Sequence, residues 1–277
     1  MSTVNERVGA SEGGSDSTRS NEFQVGEFDK VSTSLNGTMR VTVGDAPRVT
    51  ICANEQALAA LEVKVRDNAL EIGPKKSGPA HARDGRSLAS HLLDVILKRR
   101  TAETRSIAYS SQYSIEITTS RLHKLVFGGK ARLAIETDLR DSESMKLVCG
   151  GVSAVSTRSI SAPSIHLVSA GTAALTVDGV KCDSLDCRIS GTASVHVNGE
   201  AESVSARISG TGSLDGAKLR ASRASFVTSG ASNTSIHAQN ELEVKSSGAC
   251  AVQYLGNPEK RTSFSGVLDC SPLHSDA

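Results

Sequence analysis

A glycine that returns about every 20 residues through the second half of the chain narrows the possible folds more than any other feature. Gly129, Gly151, Gly171, Gly191, Gly210, Gly230, Gly248 and Gly266 are 18 to 22 residues apart, and the last five each follow a serine. A fixed period of this length is the signature of stacked repeats. Aligned on these glycines, the even offsets are mostly apolar or small and the odd ones mostly polar. Four residues before stand Leu125, Leu147, Leu167, Cys187, Ala206, Phe226, Val244 and Thr262; four after stand Leu133, Val155, Leu175, Val195, Leu214, Thr234, Val252 and Cys270. Six before come Met145, Ile165, Leu185, Val204 and Leu242, and six after come Ile135, Val177, Val197, Ile236 and Tyr254. A period of two is strand alternation, and it continues on both sides of the glycine. Val126, Val148, Val168 and Val227 break the outward polarity and are expected beneath another segment.

This pattern predicts an all-β chain: a right-handed parallel β-helix of about eight regular coils, one per corner glycine. Glycine suits the bends because it alone enters the left-handed region at no steric cost. The rival reading, a leucine-rich repeat, requires a Leu-x-x-Leu-x-Leu frame and an asparagine ladder that are absent. A single coil cannot offset its own ordering entropy, so neighbouring coils must share one core. Eight rungs at roughly 4.8 Å make a column about 38 Å long.

The rest of the chain divides around this block. Residues 1–22 read as a disordered tail. Residues 23–73 carry alternating runs at 28–31, 39–43, 48–52, 61–65 and 70–72 with a helix-prone 55–60, and are expected to start and close the stack. Residues 74–112 form a basic insertion with 8 Lys or Arg against 3 Asp or Glu, containing a predicted helix over 87–100 that packs on the flank or end of the column or meets a partner or membrane surface. The repeat block runs over 113–270, and 271–277 is a short tail.

Composition excludes several functions. The 31 basic and 30 acidic side chains leave a net charge of +1, which argues against nucleic acid as partner. No apolar run approaches 18 residues, so no transmembrane segment is expected. The opening MSTVNERVGASEGGSDSTRS lacks the apolar stretch of a signal peptide and by itself points to an intracellular chain. Six cysteines without a CxxC pair or a neighbouring histidine argue against a metal site; they read as buried thiols, with a disulfide framework as the alternative. No cofactor motif is present: GlyGly at 128 and 150 matches neither a phosphate loop nor a calcium repeat.

Enzymes on parallel β-helices place outward acids and bases on adjacent coils. Five residues before the glycine the outward column reads Lys124, Lys146, His166, Asp186, Ser205, Ser225, Glu243 and Arg261. His166 beside Asp186 is the best catalytic-looking pair, although with no nucleophile in register a solvated surface pair is the better explanation. Arg188 and Arg207 form a two-rung basic stripe, a pattern more often a solvated face than a ligand site, and with the outward Lys245 they are the candidate binding residues.

The chain resembles the auto-transporter adhesin head GIN domain family. The resemblance is carried by PheAspLysValSerThrSerLeuAsnGly (28–37), MetArgValThrValGlyAsp (39–45), SerGlyThrAlaSerValHisValAsnGly (190–199), SerGlyThrGlySerLeuAspGly (209–216), the stretch 241–258 ending TyrLeuGlyAsnPro, and PheSerGly (264–266). It implies a single-domain β-helix, typically exported or surface-associated, with an adhesin-like role and no catalytic residues to carry over. The basic insertion and the GlyGly or AlaGly of the early corners depart from the family pattern. The leading expectation is a non-enzymatic domain that presents a binding surface to a glycan or protein. The alternatives are a polysaccharide lyase or hydrolase acting through His166 and Asp186, and an intracellular scaffold that self-associates end to end near Val267 to Cys270.

Overall fold

A computed structural model describes residues 5–9, 18–75 and 105–273, the first of these as backbone alone. Strand occupies 78% of the structure, wound into a β-solenoid of about 7 turns. The strands are β1 (Asn5–Gly9), β2 (Thr18–Gln24), β3 (Lys30–Thr33), β4 (Asn36–Val43), β5 (Arg48–Asn54), β6 (Leu61–Arg66), β7 (Ala69–Pro74), β8 (Gln112–Thr119) and β9 (Lys124–Phe127). They continue as β10 (Lys130–Ile135), β11 (Leu139–Arg140), β12 (Ser144–Cys149), β13 (Val152–Ser161), β14 (Ser164–Gly191), β15 (Ser194–Gly210), β16 (Ser213–Leu255) and β17 (Glu259–Pro272). The helix α1 (Glu55–Ala59) starts at Asn54, whose side chain accepts from the Ala57 N–H at 2.7 Å.

The sequence columns become the walls of the coil. Leu147 pairs in register with Leu125 and Leu167, Leu185 with Val204, and Gly191, Gly210 and Gly230 stack one above another. Leu125, Leu147, Leu167, Cys187, Ala206, Phe226 and Val244 are all buried, as are Met145, Ile165, Leu185, Val204 and Leu242. Burial of these columns is what forces the register, because a one-residue slip would turn every apolar side chain to water. All eight corner glycines have positive φ, from +74° at Gly151 to +116° at Gly248, and eight corners bound about 7 turns.

The first turn is built from β3 and β4, which lie parallel beneath β9 and β10. Beyond them the pairing changes. On one wall β7 is parallel to β3 and β6 antiparallel to β7, through a two-residue turn with Asp67 and Asn68 at φ 49° and 60°. On the other, β8 is parallel to β4, and β5, β2 and β1 follow antiparallel. The expectation of a disordered tail over 1–22 therefore fails at β1 and β2: Thr18 to Gln24 pair in register with Asn54 to Arg48. The backbone donors and acceptors on the free edge of β5 recruit this polar segment, whose composition hides the pairing.

The basic insertion returns as a helical stretch over 105–110, with Ala108 buried and the Asn36 amide donating to the Tyr109 carbonyl. The predicted helix 87–100 lies outside the described residues. Among the described residues β17 pairs with β16 alone, so this end of the column is an edge. Phe264 is 59% and Val267 71% exposed. At the inward position of this last rung stands Lys260, which donates to the Tyr254 hydroxyl at 2.8 Å and sits 5.0 Å from its ring centroid. An inward lysine on an edge strand opposes further strand addition.

Candidate functional site

The outward residues before each corner glycine form one continuous wall, crossing β6, β7, β3, β9, β12 and the matching stretches of β14 to β17. All five candidate residues lie on it. His166 Nδ1 is 3.5 Å from Asp186 Oδ2, and the same carboxylate meets Arg188 at 3.1 Å and Arg207 at 3.8 Å. Lys245 Nζ contacts Glu243 Oε1 at 2.7 Å, and Ser225 Oγ donates to Glu243 Oε2 at 3.1 Å. Hydrogen bonds from Lys245 and then Ser225 hold the Glu243 carboxyl below its usual range. The candidate cations are thus each set on a carboxylate of the same or the next rung.

Ser164, absent from the sequence reading, places its hydroxyl 3.4 Å from His166 Nε2. The order Ser164, His166, Asp186 is that of a hydrolytic relay, with both contacts longer than ordinary hydrogen bonds. Two features oppose catalysis here. Arg188 and Arg207 share the Asp186 charge that would orient and stabilise an imidazolium. The backbone amides of this wall are committed to the ladder, so they cannot serve as donors to an oxyanion.

A second histidine pair lies on the wall after the glycine. His196 Nδ1 is 2.9 Å from Asp215 Oδ2, and Ser235 Oγ donates to Asp215 Oδ1 at 2.7 Å. That hydroxyl hydrogen bond is the largest cause holding the Asp215 carboxyl below its usual range, with further help from the Ala217 N–H and from His196. Serine here binds the carboxylate and not the imidazole, so nothing activates it as a nucleophile. His196, Asp215 and Ser235 each stand five residues after a corner glycine, and the stacking of turns sets their mutual distances.

All six cysteines are free thiols, and Cys149, Cys187 and Cys250 are buried. Burial is the main cause that pushes Cys182 and Cys187 up to about 12. Such thiols are poor nucleophiles and poor metal ligands at neutral pH. Among the described residues no three of His, Cys, Asp and Glu converge as a metal site, and no helix is long and apolar enough to cross a membrane.

A stacked parallel solenoid with a regular, charged outer wall is a scaffold of the kind that presents surfaces. The chain belongs to the family described as "putative auto-transporter adhesin, head GIN domain", which matches residues 27–258. No curated protein matches it in sequence. Solved structures share the fold at low identity. A protein of Parabacteroides distasonis ATCC 8503 described as a putative adhesin superposes with a TM-score of 0.73 at 15% identity, over 92% of this chain and 97% of that one. A putative adhesin of Parabacteroides merdae ATCC 43184 gives 0.71 at 13% identity, over 93% and 96%. A second P. distasonis protein, described as a putative lipid binding protein, gives 0.68 at 16% identity, over 93% and 97%.

Proposed function

We propose that this chain is a non-enzymatic, adhesin-like binding domain whose wall before the corner glycines meets a glycan or protein. The observation that carries this reading is the wall itself: one in-register surface running the length of the column, rich in cations and hydroxyls. Membership in an adhesin-described family supports it. Extended solenoid surfaces bind along their length because each rung repeats the same contact geometry. Glycan-array screening combined with protein pull-down is the test; binding in either supports the proposal, and silence in both overturns it.

The carbohydrate-active alternative has one observation in its favour, the Ser164, His166, Asp186 sequence of contacts. Turnover of a polyuronide that is lost in His166→Ala would replace the binding reading with this one.

A further inference from the structure

We infer that the N-terminal part of this wall is a site for a linear polyanionic polysaccharide, held by the ammonium groups of Lys30, Lys124 and Lys146 beside a floor of Val126 and Val148. The inference rests on the adhesin-like reading and names the ligand class and place that it leaves open.

Lys30 pairs in register with Lys124, Lys124 with Lys146, and Lys146 with His166. Four successive rungs thus carry a basic residue on one face, spanning about 14 Å at the inter-strand spacing. On the far side of Lys30, Ala69 is in register and Arg66 of β6 pairs with it, which extends the basic row. Like charges directly opposite one another on a sheet repel. Further along the wall this is relieved inside the protein, because Arg188 and Arg207 meet Asp186, Lys245 meets Glu243 and Arg261 meets Glu259 at 3.1 Å. At the N-terminal part it is not. Among the described residues Lys30 has only Asp29 at 4.0 Å, and Lys124 and Lys146 have no carboxylate within ion-pair distance. A ligand that brings negative charges at the period of the rungs supplies the missing partners.

The row beside the lysines adds the second half of the recognition. Val126 and Val148 are half-buried on the floor of a cleft of about 530 Å³. The same row continues in register through Ser32 to Glu71 and Lys64 of the β6–β7 hairpin, and Glu62, Arg105 and Tyr109 also line the cleft. Lys64 neutralises Glu62 at 2.5 Å, which leaves Glu71 to accept from a hydroxyl. Alternating acidic groups for the lysines, C–H faces for the valines and hydroxyls for Ser32, Ser34 and Glu71 describe an acidic sugar chain. A single-stranded nucleic acid needs several aromatic platforms, and Tyr109 is the one solvent-exposed ring lining this cleft. The valines line a recess and not a protruding face, which suits a chain laid along the wall and not the plane of a bilayer.

The test titrates the full chain with polygalacturonate, neutral dextran of matched length, a single-stranded oligodeoxynucleotide and phosphatidylglycerol vesicles, at low and high salt. Polygalacturonate should bind, dextran should not, and added salt should weaken binding steeply. Lys124→Ala/Lys146→Ala should bind polygalacturonate roughly ten-fold more weakly or worse, whereas Lys181→Ala on another wall should match the parent. Circular dichroism checks that both variants fold, and Lys146→Glu repeats the test with a single exposed substitution. Equal binding by parent and double variant overturns the site. Preference for the oligonucleotide or the vesicles overturns the ligand class. If no polyanion binds while the array or pull-down finds another partner, this inference fails and the adhesin-like reading stands; silence in every assay removes both.

Discussion

Replacing Gly191 by alanine tests the corner geometry, in which an added side chain would meet the backbone of the preceding turn. Gly191 has φ +84°, and a Cβ built there lies 2.7 Å from the Gly171 carbonyl oxygen and 3.2 Å from the Gly171 nitrogen. That same carbonyl accepts from the Thr192 N–H at 2.9 Å, so a methyl group must displace the acceptor of a ladder bond. The left-handed conformation costs an L-residue about 1–2 kcal/mol, and weakening the bond adds about 1 kcal/mol. Restricting the unfolded chain returns about 0.4–1 kcal/mol. The net is a destabilisation of about 2 kcal/mol, or a fall in Tm of roughly 4–8 °C for a chain of this size. Thermal and urea unfolding followed by circular dichroism measure it, with Gly73→Ala as reference. Gly73 has no positive φ, and a Cβ there meets nothing within 4 Å, so it should be neutral or slightly stabilising. If Gly191→Ala and Gly73→Ala unfold together, the stacked corners do not constrain the fold in the way argued.

Other perturbations address the core, the thiols and the open end. Thr234 is 1% exposed and its hydroxyl has no hydrogen-bond partner, so Thr234→Val should raise the unfolding free energy by about 1 kcal/mol in urea titration. Burial first, then Asp186 and Cys182, push the Cys187 thiol from 9.0 up to about 12. The folded chain then keeps a proton that the unfolded chain releases. Stability from this group is complete below pH 9 and is lost as pH rises toward the folded value, by up to about 4 kcal/mol. Cys187→Ala should therefore show a flatter decline of Tm across that window, and parallel curves would contradict the burial of this thiol. Lys260→Ala removes the inward charge from the last rung beside exposed Phe264 and should raise concentration-dependent association in sedimentation velocity; unchanged monomer across a concentration series would show that Lys260 does not guard this edge.

The chain's own order of residues determined the repeat, the inward columns and the corner positions, because each depends on spacing of two or about twenty and on nothing more distant. Leu185 could be assigned to the core from its neighbours two and four positions away, and Gly191 to a bend from its seven companions. The tertiary structure decided what depends on contact between turns and outside the repeat. Lys30 lies in a stretch with no corner glycine to align it, so only the pairing of β3 with β9 reveals that it stacks on Lys124. Asp186 was legible as an outward acid, but the closeness of Arg188 and Arg207, which turns a catalytic-looking carboxylate into the centre of an ion-pair cluster, is a matter of side-chain reach across rungs. The strand at Thr18 to Gln24 was hidden for a related reason: it is held by backbone pairing to an edge, and backbone groups are the same in every residue but proline.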